Sequence, residues 1–99
     1  QNWTRVAGGI TGAVALPIVP GHEIAPIRAA FKAALATRAE WDGRIAELQV
    51  FEVRADAIEL RLIMSAADPA ALARLRLAMR ETMVEWLRVE MPDALRREI

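Results

Sequence analysis

Ala57-Ile58-Glu59-Leu60-Arg61-Leu62-Ile63-Met64-Ser65-Ala66-Ala67-Asp68-Pro69 is the stretch that decides how this chain folds. Up to Ser65, the residues Ile58, Leu60, Leu62 and Met64 alternate with Glu59, Arg61 and Ile63. That period of two predicts a strand over Ala57 to Ser65 with one apolar face. Asp68-Pro69 then reads as a helix start: a side chain able to accept first-turn N–H groups, followed by a residue whose missing N–H costs nothing there.

Downstream, the pattern predicts a helix running to about Met91, where Pro92 stops it. Leu72, Leu75, Met79, Met83, Trp86 and Leu87 form its expected buried stripe. Upstream, Arg54-Ala55-Asp56 is a connection short enough for a hairpin. Before it, Ile45 to Val53 is rich in β-branched and aromatic residues and predicts another strand. Ala46, Leu48 and Val50 are expected to point inward, with Ile45, Glu47, Gln49, Phe51 and Val53 outward. Trp41 to Arg44 reads as a loop, with Gly43 as its turn residue.

Farther upstream, Ile24, Ile27, Phe31 and Leu35 recur every three or four residues. They predict a helix that begins near His22 to Pro26 and ends near Thr37, with Pro26 in the first turn. Pro20 and Gly21 turn the chain before it. Thr11 to Val19 alternates, with Val14, Leu16 and Ile18 on one side and Ala13, Ala15 and Pro17 on the other, and so predicts a strand. Pro17 cannot donate to a ladder, so its nitrogen should face an unpaired position. Gly8 and Gly9 read as a flexible joint, and Gln1 to Arg5 as the tail of something that precedes it.

The expected order is therefore strand, helix, strand, strand, helix. Split βαβ units close right-handed, which places the third strand between the first two. Both helices then cover one face of an antiparallel or mixed sheet. This is an α+β, ferredoxin-like two-layer sandwich lacking its last strand. Ile45, Phe51 and Ile63 are expected on the uncovered face, which is either met by another subunit or carries ordinary scattered exposure.

The chain has 99 residues, enough for one domain. It begins at Gln1 rather than Met, which reads as a piece of a longer protein, although a processed N-terminus gives the same start. Thirteen basic residues balance thirteen acidic ones, so the net positive field typical of nucleic-acid binding is not evident. There is no cysteine, which excludes disulfides and thiolate chemistry. Val6 to His22 lacks Asp, Glu, Lys and Arg for seventeen residues. A spanning helix needs about 20 mostly apolar residues, and this stretch is broken by Gly8, Gly9, Gly12, Pro17, Pro20 and Gly21. It reads as turn and buried strand. Any membrane contact is expected upstream, outside these residues.

Candidates for chemistry are few. His22, the only histidine, sits in a Pro-Gly turn and reads as a turn residue or helix N-cap rather than a base. A metal site would need mainly carboxylates. Glu81 and Glu85, on a helix that also carries Arg80 and Arg88, read as a solvated face. Ser65 and four threonines are the nucleophile candidates, and none lies in a G-x-S-x-G elbow. Gly8-Gly9-Ile10-Thr11-Gly12 resembles a phosphate-cradling loop, but such a loop precedes a helix, and here a strand follows. The expectation is a non-enzyme with no cofactor and no metal. Arg76 and Arg80, four apart, repel mildly. Either they are solvated, or carboxylates from elsewhere in this subunit or a neighbour reach them.

Several segments together carry a family likeness. Asn2-Trp3-Thr4 resembles the segment that ends the β domain of small-conductance-type mechanosensitive ion channels. Trp41-Asp42-Gly43-Arg44 resembles that family's loop between the first helix and second strand. Ser65-Ala66-Ala67-Asp68, Leu75-Arg76, Arg80-Glu81, Leu87, Glu90, Pro92, Ala94 and Leu95 resemble its long second helix without gaps. Arg74 departs from the family's usual acidic residue, and Met91-Pro92 from its Tyr-Pro helix end. The resemblance implies that residues 1–9 end a preceding β domain and joint, and that residues 10–99 form the cytoplasmic α/β domain. It also implies identical subunits as partners, typically seven, in the bacterial inner membrane with this domain on the cytoplasmic side. In such channels upstream helices open a pore under tension during osmotic downshock, and the cytoplasmic domains build a hollow cage. This piece would hold no pore. The competing expectation is a free-standing ferredoxin-like regulatory module binding a small ligand between subunits.

Overall fold

In the computed structural model, residues 4–6 and 9–95 are described, with side chains from Gly9 onward. The elements are β1 (Thr4–Val6), β2 (Gly9–Ile18), α1 (Ala25–Leu35), β3 (Trp41–Val53), β4 (Ile58–Ala66) and α2 (Pro69–Glu90), followed by a 3-10 turn at Pro92–Ala94. The fold is α+β. Its strands pair antiparallel throughout, in the order β1-β2-β4-β3. The strand from Ile58 lies between its two longer neighbours, as the handedness rule requires.

Register explains the core. Leu62 stands opposite Val14 on one side and Leu48 on the other, and Leu60 stands opposite Leu16 and Val50. Alternation sends Gly12, Val14, Leu16 and Ile18 to the same face as Leu60, Leu62 and Met64. There they join Ile27, Phe31 and Leu35 of α1 and Leu72, Leu75, Met79, Met83 and Leu87 of α2 in one buried cluster. Each such side chain fully removed from water contributes about 1.5–3 kcal/mol before the cost of ordering it. Helix α2 starts cleanly, because the Asp68 carboxylate accepts from the Ala71 N–H at 2.8 Å. Helix α1 has no side-chain cap at Ile24. It relies on its buried face and on Arg28, which donates to the Leu48 carbonyl at 3.2 Å.

Five expectations are corrected. The order acquires an extra first strand: Thr4–Val6 pairs with Gly9–Thr11, at the free edge of β2. Gly9 is accordingly no joint but a buried strand residue. Trp41 to Arg44 belongs to β3 rather than to a loop, although the ladder breaks there, between the pairs Trp41–Ala66 and Ala46–Met64. Val50 faces the helix side yet is 46% exposed, because Gln49 through Asp56 are all exposed and the hairpin tip runs past the helix layer. Trp86 is only partly buried, since Leu87, four residues after Met83, takes the core position. On the uncovered face Phe51 is exposed as expected, whereas Ile45 and Ile63 are half-buried.

Candidate functional site

Trp41, Asp42, Gly43 and Arg44, four of the residues singled out from sequence, lie together at one corner of the sheet, where β3 begins and β4 ends. Between Trp41 and Ala46 the β3 chain bulges away from β4, and Gly43 makes the turn with φ of 82°, a value that side chains rarely tolerate. The bulge is pinned from inside. Asp42 Oδ1 accepts from the Arg44 N–H at 3.1 Å and from the Ser65 hydroxyl at 2.5 Å. Ser65 Oγ in turn accepts the Ile45 N–H at 2.9 Å, and the Trp41 indole N–H donates to the Ile45 carbonyl at 2.9 Å. A bulge leaves ladder groups without strand partners, and these side chains supply them.

Gly9 closes the corner from β2. A Cβ there would lie 2.7 Å from the Ala66 carbonyl oxygen and 2.9 Å from Asp42 Oδ2, so only glycine lets the backbones approach this closely. Asp42 Oδ2 is buried with no hydrogen-bond partner among the described residues. Just before the corner, Glu40 is held below the usual carboxylate range, chiefly by a backbone hydrogen bond and then by the Arg38 guanidinium.

This arrangement suits a rigid joint rather than nucleophilic attack. Ser65 is wholly buried, and its hydroxyl is tied on both sides, donating to Asp42 and accepting from the Ile45 N–H, so its oxygen has no open approach for a substrate. His22 lies at the opposite end of β2, its Nδ1 bonded to the Val19 carbonyl at 2.9 Å; it does not cap α1. Among the described residues no cluster of three or more His, Cys, Asp or Glu could hold a metal, and no helix is long and apolar enough to cross a membrane.

The remaining candidates lie elsewhere. Asp68 caps α2 near the corner. Arg76 crosses to the β2 edge beyond its described pairing with β1, donating from Nε to the Ala13 carbonyl at 2.9 Å. Arg80 lies one turn on and is exposed, and both arginines line a half-open pocket of about 140 Å³ with Ala13, Ala15 and Arg61. Glu81 is exposed on the outer side of α2, beside Leu77, Val84 and Glu85. Glu85 pairs with Arg88, whose hydrogen bond holds its carboxyl below the ordinary range. Asn2 and Trp3 lie outside the described residues. Sequence reasoning missed Gly9 and the Ser65–Asp42 bond. A serine ending an otherwise apolar strand was the available signal for the second. Compared with family models and with curated proteins, the chain matches none.

Proposed function

We propose that this chain is a passive, cage-forming domain of a small-conductance-type mechanosensitive channel subunit, standing on the cytoplasmic side of a bacterial inner membrane among identical copies. Its fold is then the ferredoxin-like two-layer arrangement, with the place of the last strand taken in part by β1. The observation that carries this reading is the corner itself. Trp41-Asp42-Gly43-Arg44 and Ser65, which carry the resemblance from far apart in sequence, meet there in one hydrogen-bonded joint.

Physical logic supports the same reading. A wall element needs a stiff core, exposed faces for neighbours and no reactive pocket. The near-zero net charge limits self-repulsion when several copies stand together. Exposed Phe51 and Val53 on the hairpin tip, and Leu77 and Val89 on α2, offer apolar surface for lateral contact.

The gene upstream of Gln1 tests the proposal. It should encode several apolar spans, and the full-length protein should rescue osmotic-downshock survival in cells stripped of their own tension-gated channels. A wholly water-soluble parent protein would refute it. The isolated domain should associate only weakly, and a tight, concentration-independent dimer in sedimentation would count against the reading.

A further inference from the structure

We propose that the pocket between the open edge of β2 and helix α2 binds a tetrahedral oxyanion, either free phosphate or the phosphate group of a small phosphomonoester. Among the described residues, every charged side chain lining it is an arginine: Arg61, Arg76 and Arg80. Arg61 is already engaged, bonded to Glu59 at 2.9 Å with its guanidinium 3.7 Å from the centroid of the Phe51 ring. Arg76 and Arg80 form no ion pair among the described residues. Arg76 is nonetheless held in place, because its Nε is committed to the Ala13 carbonyl. Its remaining N–H groups are therefore preorganised at no further ordering cost.

The strand edge supplies the second set of donors. Within the described residues β1 pairs only with Gly9 to Thr11, so β2 has no strand partner on that side beyond Thr11. Residues of an antiparallel strand direct their N–H and C=O groups alternately to the two neighbours. Ala13 O is taken by Arg76 and the Val19 N–H by Ala94 O, so the odd-numbered residues face the open side. The N–H groups of Ala13 and Ala15 thus point to the edge beside the two arginines, and Pro17 has no N–H to add. Main-chain N–H groups and guanidinium forks converging from different directions suit the several non-coplanar oxygens of a phosphate better than a flat carboxylate. A volume of about 140 Å³ accommodates such an anion together with water. Two cations with no ion pair among the described residues, in a half-enclosed site, also concentrate positive potential where the anion would sit.

The test uses the purified chain in inorganic phosphate against chloride at matched ionic strength, following the melting temperature and the heat of titration. Phosphate should raise the melting temperature in a saturable way, and acetate should not. Arg80→Gln, at an exposed position with no ion pair among the described residues, should fold normally and bind phosphate about tenfold more weakly. Arg74→Gln, exposed on α2 outside the pocket, should bind as the unaltered chain does. Glycerol phosphate separates the two sources, since a phosphomonoester site should bind it at least as tightly as free phosphate. The proposal is overturned by no phosphate-specific stabilisation, by equal binding in the Arg80→Gln chain, or by an equal effect of acetate. Because the assay needs neither a membrane nor upstream segments, its failure leaves the channel reading standing, and a soluble parent protein leaves this site standing.

Discussion

Replacing Ser65 by alanine probes the corner most directly. The hydroxyl lies in a fully buried side chain, accepts the Ile45 N–H at 2.9 Å and donates to Asp42 at 2.5 Å. Removing it strands a half-buried backbone N–H, a loss of about 1–3 kcal/mol. Asp42 keeps the Arg44 N–H, so its share is smaller, about 1 kcal/mol. The alanine methyl occupies nearly the same space, and no cavity term is added. The total of about 2–4 kcal/mol corresponds to a fall in melting temperature on the order of 15 °C for a domain of this size. Urea unfolding followed by tryptophan fluorescence, with Trp41 in the corner, and thermal circular dichroism should both register it. Asp42→Ala should cost less than Ser65→Ala, because it also deletes a buried oxygen that has no partner. The double variant should lose less than the two single losses added. A Ser65→Ala chain within about 0.5 kcal/mol of the original, or strict additivity in the cycle, would refute the reasoning.

Phe31→Ala should cost about 3–5 kcal/mol in urea unfolding, since the ring is wholly buried under α1. Trp86→Ala should cost clearly less, about 1–2 kcal/mol, because the indole is only partly buried; a loss equal to that of Phe31 would put Trp86 in the core after all. Asp68→Ala should cost about 1 kcal/mol and lower the helical circular dichroism signal if the cap matters, whereas Asp68→Asn should largely preserve both. The carboxyl of Glu40 is lowered in the folded chain, so its contribution is present above the unfolded value and is lost as pH falls through the folded one. Glu40→Gln should therefore lower the melting temperature slightly at neutral pH and converge with the original chain on the acid side, and a parallel-shifted profile would contradict this.

Periodicity made most of the fold legible. Ile58, Leu60, Leu62 and Met64 show the inward face of β4 unaided, and Asp68-Pro69 marks the start of α2 to the residue. What periodicity cannot show is an element too short to repeat its pattern. The three residues of β1 are too few to alternate visibly, although Thr4-Arg5-Val6, two residues short of a β-branched strand and with Gly8 between, carried a hairpin signal. The bulge at Trp41 to Arg44 looks like a loop in sequence because a broken ladder interrupts alternation just as a loop does. A helical stripe admits both the third and the fourth residue after Met83, Trp86 and Leu87, and only packing chooses between them.

The candidate sites divide along the same line. Sequence by itself determined the types of the five longer elements, the central place of β4, the two helix faces and the scarcity of catalytic side chains, because each follows from local pattern, from the handedness of the connections or from inventory. Tertiary structure alone decided that Ser65 meets Asp42, that Gly9 must lack a side chain, and that Arg76 reaches the Ala13 carbonyl at the edge of β2. Those are contacts between residues tens of positions apart, and their existence depends on register and on backbone approach, quantities that no window of sequence contains.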